Sequence, residues 1–136
     1  MANALYDTGR DAFLTGNIAW VTDDIRGILI DTALYTVDLV NHDFLDDIPA
    51  GAREGTITAL TGKSTDATGV ADATDLTFVT VTGATVEAVV IYRHTGTEST
   101  SQLIAYIDTA TGLPVTPGGG DIIVAWDNGA NKIFKL

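Results

Sequence analysis

The stretch Glu87–Leu136, EAVVIYRHTGTESTSQLIAYIDTATGLPVTPGGGDIIVAWDNGANKIFKL, decides the fold. Short apolar runs alternate in it with Gly, Pro and Asn turns, the rhythm of β-strands joined by tight connections. Val86, Ala88, Val90 and Tyr92 share one parity, and Val89 and Ile91 the other, so both faces of this strand are apolar. A strand of that kind is central and covered on both sides. Further strands are predicted over 102–107, 121–126 and 132–135. Pro117-Gly118-Gly119-Gly120 reads as a flexible hairpin connection and Asp127-Asn128-Gly129 as a tight turn permitting positive φ. No polar tail follows Leu136, so the last strand is expected to belong to the core.

Working outward toward the N-terminus, strands are predicted near 75–81 and 55–60. The apolar run from Ile25 to Asp31 is expected to pair with an alternating strand over 35–39, where Tyr35, Val37 and Leu39 interleave with Thr36 and Asp38. Asn41–Asp47 (NHDFLDD) is expected to form a single helical turn before Pro49 and Gly51 end it. Thr61–Thr74 (TGKSTDATGVADAT) is polar, small and Gly-containing, and reads as an exposed, mobile loop. At the start, Asn3 is the candidate N-cap of one amphipathic helix over about 4–15, stopped by Gly16. Gly9 within it weakens the helix by ~1 kcal/mol relative to Ala. The expected fold class is mainly β: an antiparallel β-sandwich or flattened barrel of about eight strands with one short N-terminal helix, in a single domain over 1–136.

Composition narrows the function. With 136 residues, 46% apolar and 18% charged, the chain has material for one real core and is too hydrophobic for disorder. A net charge of −11 with only seven Lys and Arg, scattered along the chain, leaves little to neutralise phosphates, so nucleic acid is not an expected partner. The acidity reads as serving solubility and resistance to self-association, the alternative being attraction to a basic surface. There is no cysteine for a disulfide framework or a thiolate site. Met1–Asp7 lacks a signal-peptide pattern, and no apolar run approaches the ~18 residues of a membrane helix, so a soluble protein made in the cytoplasm is expected, without membrane partners.

No reaction centre emerges from the motifs. Thr61-Gly62-Lys63-Ser64 copies the end of a phosphate-binding loop, but Ile57 stands where that pattern needs its first Gly, and no helix is expected to follow. The pairs Asp23-Asp24 and Asp46-Asp47, with Asp31, Asp38 or Asp43, are possible calcium ligands; capping and solvated surface explain them better, since no spaced Asp loop is present. His42 and His94 sit in no metal-binding pair and near no nucleophile elbow. Two carboxylates for glycoside hydrolysis exist among so many acids, but their separation cannot be read from sequence. No catalytic, cofactor or metal residue is assigned. Trp20 and Trp126, with Tyr92, Tyr106 and Phe134, read as anchors of a core or of a subunit contact.

Three segments carry a resemblance: Asn3–Leu14 (NALYDTGRDAFL), Asp47–Arg53 (DIPAGAR) and Trp126–Leu136 (WDNGANKIFKL), the last within a longer similar stretch from Leu103. Together they make nearly the whole chain look like a family of small phage and prophage virion proteins. The resemblance implies a non-enzymatic structural role, best read as capsid decoration or cement on the outside of the shell. Its partners would be the major capsid protein and other copies of itself, as a homotrimer at local three-fold axes. Leu5, Tyr6, Phe13 and Trp20 are the residues expected to contact the shell or neighbouring subunits. The competing classes are a tail- or neck-associated adaptor, a glycan-binding module and a hydrolase.

Overall fold

The computed structural model describes residues 4–136. The chain is mainly β, with one helix and antiparallel sheets, as its patterning predicts. In chain order the elements are β1 (Ala4–Leu5), α1 (Asp7–Leu14), β2 (Ile25–Ile30), β3 (Arg53–Ala59), β4 (Ser64–Thr65) and β5 (Val70–Asp72). There follow β6 (Leu76–Phe78), β7 (Ala88–Arg93), β8 (Leu103–Ile107), β9 (Ile122–Val124) and β10 (Phe134–Lys135). The main sheet has the order β1-β8-β7-β2-β3, and two smaller sheets have the orders β10-β5-β4 and β6-β9.

β7 is the middle strand, and Ala88–Tyr92 are all buried. Its alternation splits the interior. Val89 and Ile91 join Ile25 and Leu29 of β2 in one cluster, covered by Leu76, Phe78, Ile122 and Val124 of the β6-β9 ribbon. Ala88, Val90 and Tyr92 join Ile28, Ile30, Leu103 and Tyr106 in a second cluster, covered by Tyr35, Leu45, Ile48 and Ala52. Val86 departs from its predicted face: it precedes β7, bridges Val115, and packs in the first cluster.

Four local expectations change. Residues 35–39 are not a strand, because the Tyr35 hydroxyl is tied to Tyr6 and His42, and the segment lies over the sheet instead of extending it. The helical turn predicted within 41–47 is a short 3-10 turn at Leu45–Asp47. Thr61–Thr74 is a β4-β5 hairpin with Val70 and Ala71 buried; Asp66 caps its turn, Gly69 takes φ +84°, and β10 pairs along β5. The helix is shorter than predicted because Ala4 and Leu5 pair with Tyr106 and Ala105 of β8 before it begins. Asn3, the predicted cap, lies outside the described residues, and Tyr6 occupies the N-cap position without a side-chain cap.

Gly9 has a reason that propensity does not supply. A Cβ there would sit 3.0 Å from Ile104 Cα and closer still to the Leu103 carbonyl, so only glycine lets α1 lie on the β8 backbone. Gly51 has open space around it. Gly9→Ala is therefore expected to lower stability by about 1–3 kcal/mol despite its better helix propensity, whereas Gly51→Ala is neutral or slightly stabilising. Chemical denaturation of the two variants beside the parent chain checks the contrast.

Candidate functional site

The N-terminal segment, where a partner contact is expected, folds into its own chain. Leu5 is buried in the first cluster and Tyr6, the next residue, in the second. Trp20 is buried, donates from Nε1 to the Asp72 carbonyl at 3.1 Å, and meets Phe134 edge-on at 5.2 Å between ring centroids. Phe13 is half-buried with its ring 5.7 Å from that of Phe134. Leu5, Tyr6 and Trp20 are each at most 5% exposed, so their apolar area is spent inside the chain. The expectation that they face a partner is corrected to that extent. Trp126 mirrors Trp20, donating from Nε1 to the Thr74 carbonyl at 3.1 Å, so two indoles pin the β5-β6 connection.

Surface left for contact lies elsewhere. Leu14, at the end of α1, is 78% exposed, and Val21 follows it. On the β6-β9 ribbon, Ile123 is 60% exposed opposite Thr77, and Val79 is exposed just beyond β6. Leu34 and Val40 protrude from the segment over the second cluster. Ile123 was legible in principle: in the run Ile122-Ile123-Val124 the middle residue must point away from the core its neighbours fill.

Most of the carboxylates suspected of binding a metal are engaged elsewhere. Asp23 accepts from the Ala19 amide, Asp24 takes the Arg26 guanidinium side-on, Asp31 accepts from the Ala33 amide, and Asp38 accepts from Val40 and Asn41. Asp47 accepts from the amides of Asp43 and Phe44. Among the described residues, no three His, Asp or Glu side chains gather closely enough to hold a metal ion. The hydrogen bond from Arg26 holds Asp24 below the usual carboxylate range, and that from the Asn41 side chain does the same for Asp38. Partial desolvation pushes Asp43 up, helped by its bond to Asp47.

The phosphate-loop likeness also resolves into structure. Lys63 donates to the Asp23 carbonyl, and strand β4 follows where a helix would be needed. Gly119 and Gly120 exchange backbone bonds with Val81, and Asp127 caps its own turn by accepting from Gly129. A cleft of about 350 Å³ opens where β1 and α1 meet the C-terminal segment, lined by Arg10, Lys132, Lys135 and Asp127 among others.

Tyr6, Tyr35 and His42 form a polar chain at the second cluster. The two hydroxyls lie 2.8 Å apart, and the Tyr35 hydroxyl is 2.9 Å from His42 Nδ1, with the Tyr35 and His42 rings stacked. It fixes the 31–44 segment against the sheet through Tyr6. Burial raises both phenols, Tyr35 to about 12 and Tyr6 further.

No family model matches the chain, and no curated protein matches it.

Two expectations follow from this geometry. Trp20→Ala is expected to cost about 3–5 kcal/mol in the isolated chain, as a core aromatic does; a denaturation midpoint unchanged from the parent would return Trp20 to the surface. The raised phenols mean that the folded chain keeps protons that the unfolded chain releases. Their stabilisation is full below the ordinary tyrosine value of 10.0 and is lost as pH rises toward about 12. Stability measured across pH 9–12 should fall, and Tyr35→Phe should flatten that fall.

Proposed function

We propose that this chain is a non-enzymatic bacteriophage virion protein, specifically a capsid decoration or cement protein that binds the outer shell and clamps capsomer contacts. The reading is carried by the likeness of Asn3–Leu14, Asp47–Arg53 and Trp126–Leu136 to small phage virion proteins. The fold gives that likeness a physical sense. Tyr6 from the first segment shares a cluster with Ile48 and Ala52 from the second, and Phe13 from the first meets Phe134 from the third. The similar stretches are thus the pieces that build the body of the domain.

A cement works by repetition. Many copies, each bound weakly, clamp a shell through avidity, and what each copy needs is a rigid body with a defined surface. The doubly covered sheet supplies the body, and exposed residues such as Leu14, Val21, Val79 and Ile123 supply apolar contact points on the exterior. A homotrimer on local three-fold axes, contacting the major capsid protein, is the assembly that suits such sites. The acidic surface favours a basic patch on the shell.

Quantitative mass spectrometry of purified particles tests the reading. On the order of hundreds of copies per particle is the expected result for a symmetric coat component. About six or twelve copies would place the protein at the tail or neck, and absence from the particle would end the virion reading altogether.

A further inference from the structure

We propose that Asn128 is a modification site, where the chain spontaneously deamidates through a succinimide to aspartate and isoaspartate, and that the neighbouring Asp127 carboxylate restrains the step. Asn128 lies between buried Trp126 and buried Ile133, within the exposed stretch 127–131. Gly129 follows it. A glycine has no Cβ to screen its amide nitrogen, and it leaves the backbone free to turn toward the preceding side chain. The Asn128 side chain makes no hydrogen bond among the described residues, so its amide is free to rotate onto that nitrogen.

The other described asparagines are held or screened. Asn17 Nδ2 donates to Thr15 Oγ1 at 3.1 Å, and the nitrogen after it, of β-branched Ile18, donates to the Ala12 carbonyl at 3.2 Å. Asn41 Nδ2 donates to Asp38 Oδ2 at 2.9 Å, and the His42 amide donates to the Asp38 carbonyl at 3.1 Å. Asn131 is exposed, but the next nitrogen belongs to Lys132, which carries a Cβ and donates to the Gly129 carbonyl at 3.3 Å. Among the described residues, Asn128 alone combines an unbound side chain with an unscreened nitrogen.

The step balances with water as its one co-reactant. The Gly129 nitrogen bonds to Asn128 Cγ, the Cγ–Nδ2 bond breaks, and Nδ2 leaves as ammonia with the hydrogen given up by Gly129. Water then opens the ring at either carbonyl, giving aspartate or isoaspartate. Either product adds a negative charge to a chain at −11, and isoaspartate carries the backbone through Cβ, lengthening it between Trp126 and β10.

Asp127 sets the pace. Its Oδ1 accepts from the Gly129 amide at 3.0 Å, holding the hydrogen that must leave. An anionic acceptor stabilises that N–H and opposes negative charge building on the nitrogen. Both residues are exposed, so the bond exchanges with water and the step is slowed without being closed. The site does not depend on the virion reading.

Incubation of the full chain in warm, mildly alkaline buffer, followed by peptide mass mapping and enzymatic methyl-labelling of isoaspartate, tests the proposal. Conversion of amide to acid is expected first at Asn128, about tenfold or more faster than at Asn17, Asn41 or Asn131, with isoaspartate among the products. Gly129→Ala should suppress it by a similar factor, and Asp127→Ala should speed it several-fold; melting temperatures show that each variant keeps the fold. No detectable conversion at Asn128 in the folded chain once a urea-unfolded sample has converted there, or equal rates at Asn128 and Asn131, would overturn the site. Slower or unchanged conversion in folded Asp127→Ala would overturn the restraint. These readouts need no virus particle, so their failure leaves the cement reading standing.

Discussion

A sheet whose inner strands are apolar on both faces must be covered twice. β7 and β8 offer water almost nothing, and every other part of the chain is arranged around that demand. The β6-β9 ribbon covers one face, while the long connection between β2 and β3 folds back over the other. Burial of this kind is the dominant favourable term in folding, so the connections behave as structural layers even where they have no regular secondary structure.

The N-terminal segment is where the two layers are joined. Leu5 and Tyr6 are adjacent, yet they enter opposite clusters because successive residues of an extended segment point to opposite faces. Tyr6 then reaches Tyr35 and His42 and holds the outer cover, while Phe13 and Trp20 close on Phe134 near the other end of the chain. Gly9 allows the helix between them to touch the β8 backbone. Tyr6 and Trp20, expected at a partner contact, are therefore packed within the molecule.

That arrangement bears on what the surface can do. The described carboxylates that might have formed a metal site cap turns or meet arginines, and what remains exposed is an acidic exterior with separate apolar points.

Sequence by itself determined the β character and the double coverage of the strand that runs over Ala88–Arg93, because alternation is a local property. It also determined the shortage of cations. It could not determine that Tyr35–Leu39 leaves the sheet, since an alternating run reads the same whether it pairs with a neighbour or is pinned over one by a hydroxyl 29 residues away in sequence. Nor could it distinguish a tryptophan for a partner from one for the core. Those outcomes depend on which distant segments meet, and only the tertiary structure, by deciding which apolar faces are covered and by what, settled them.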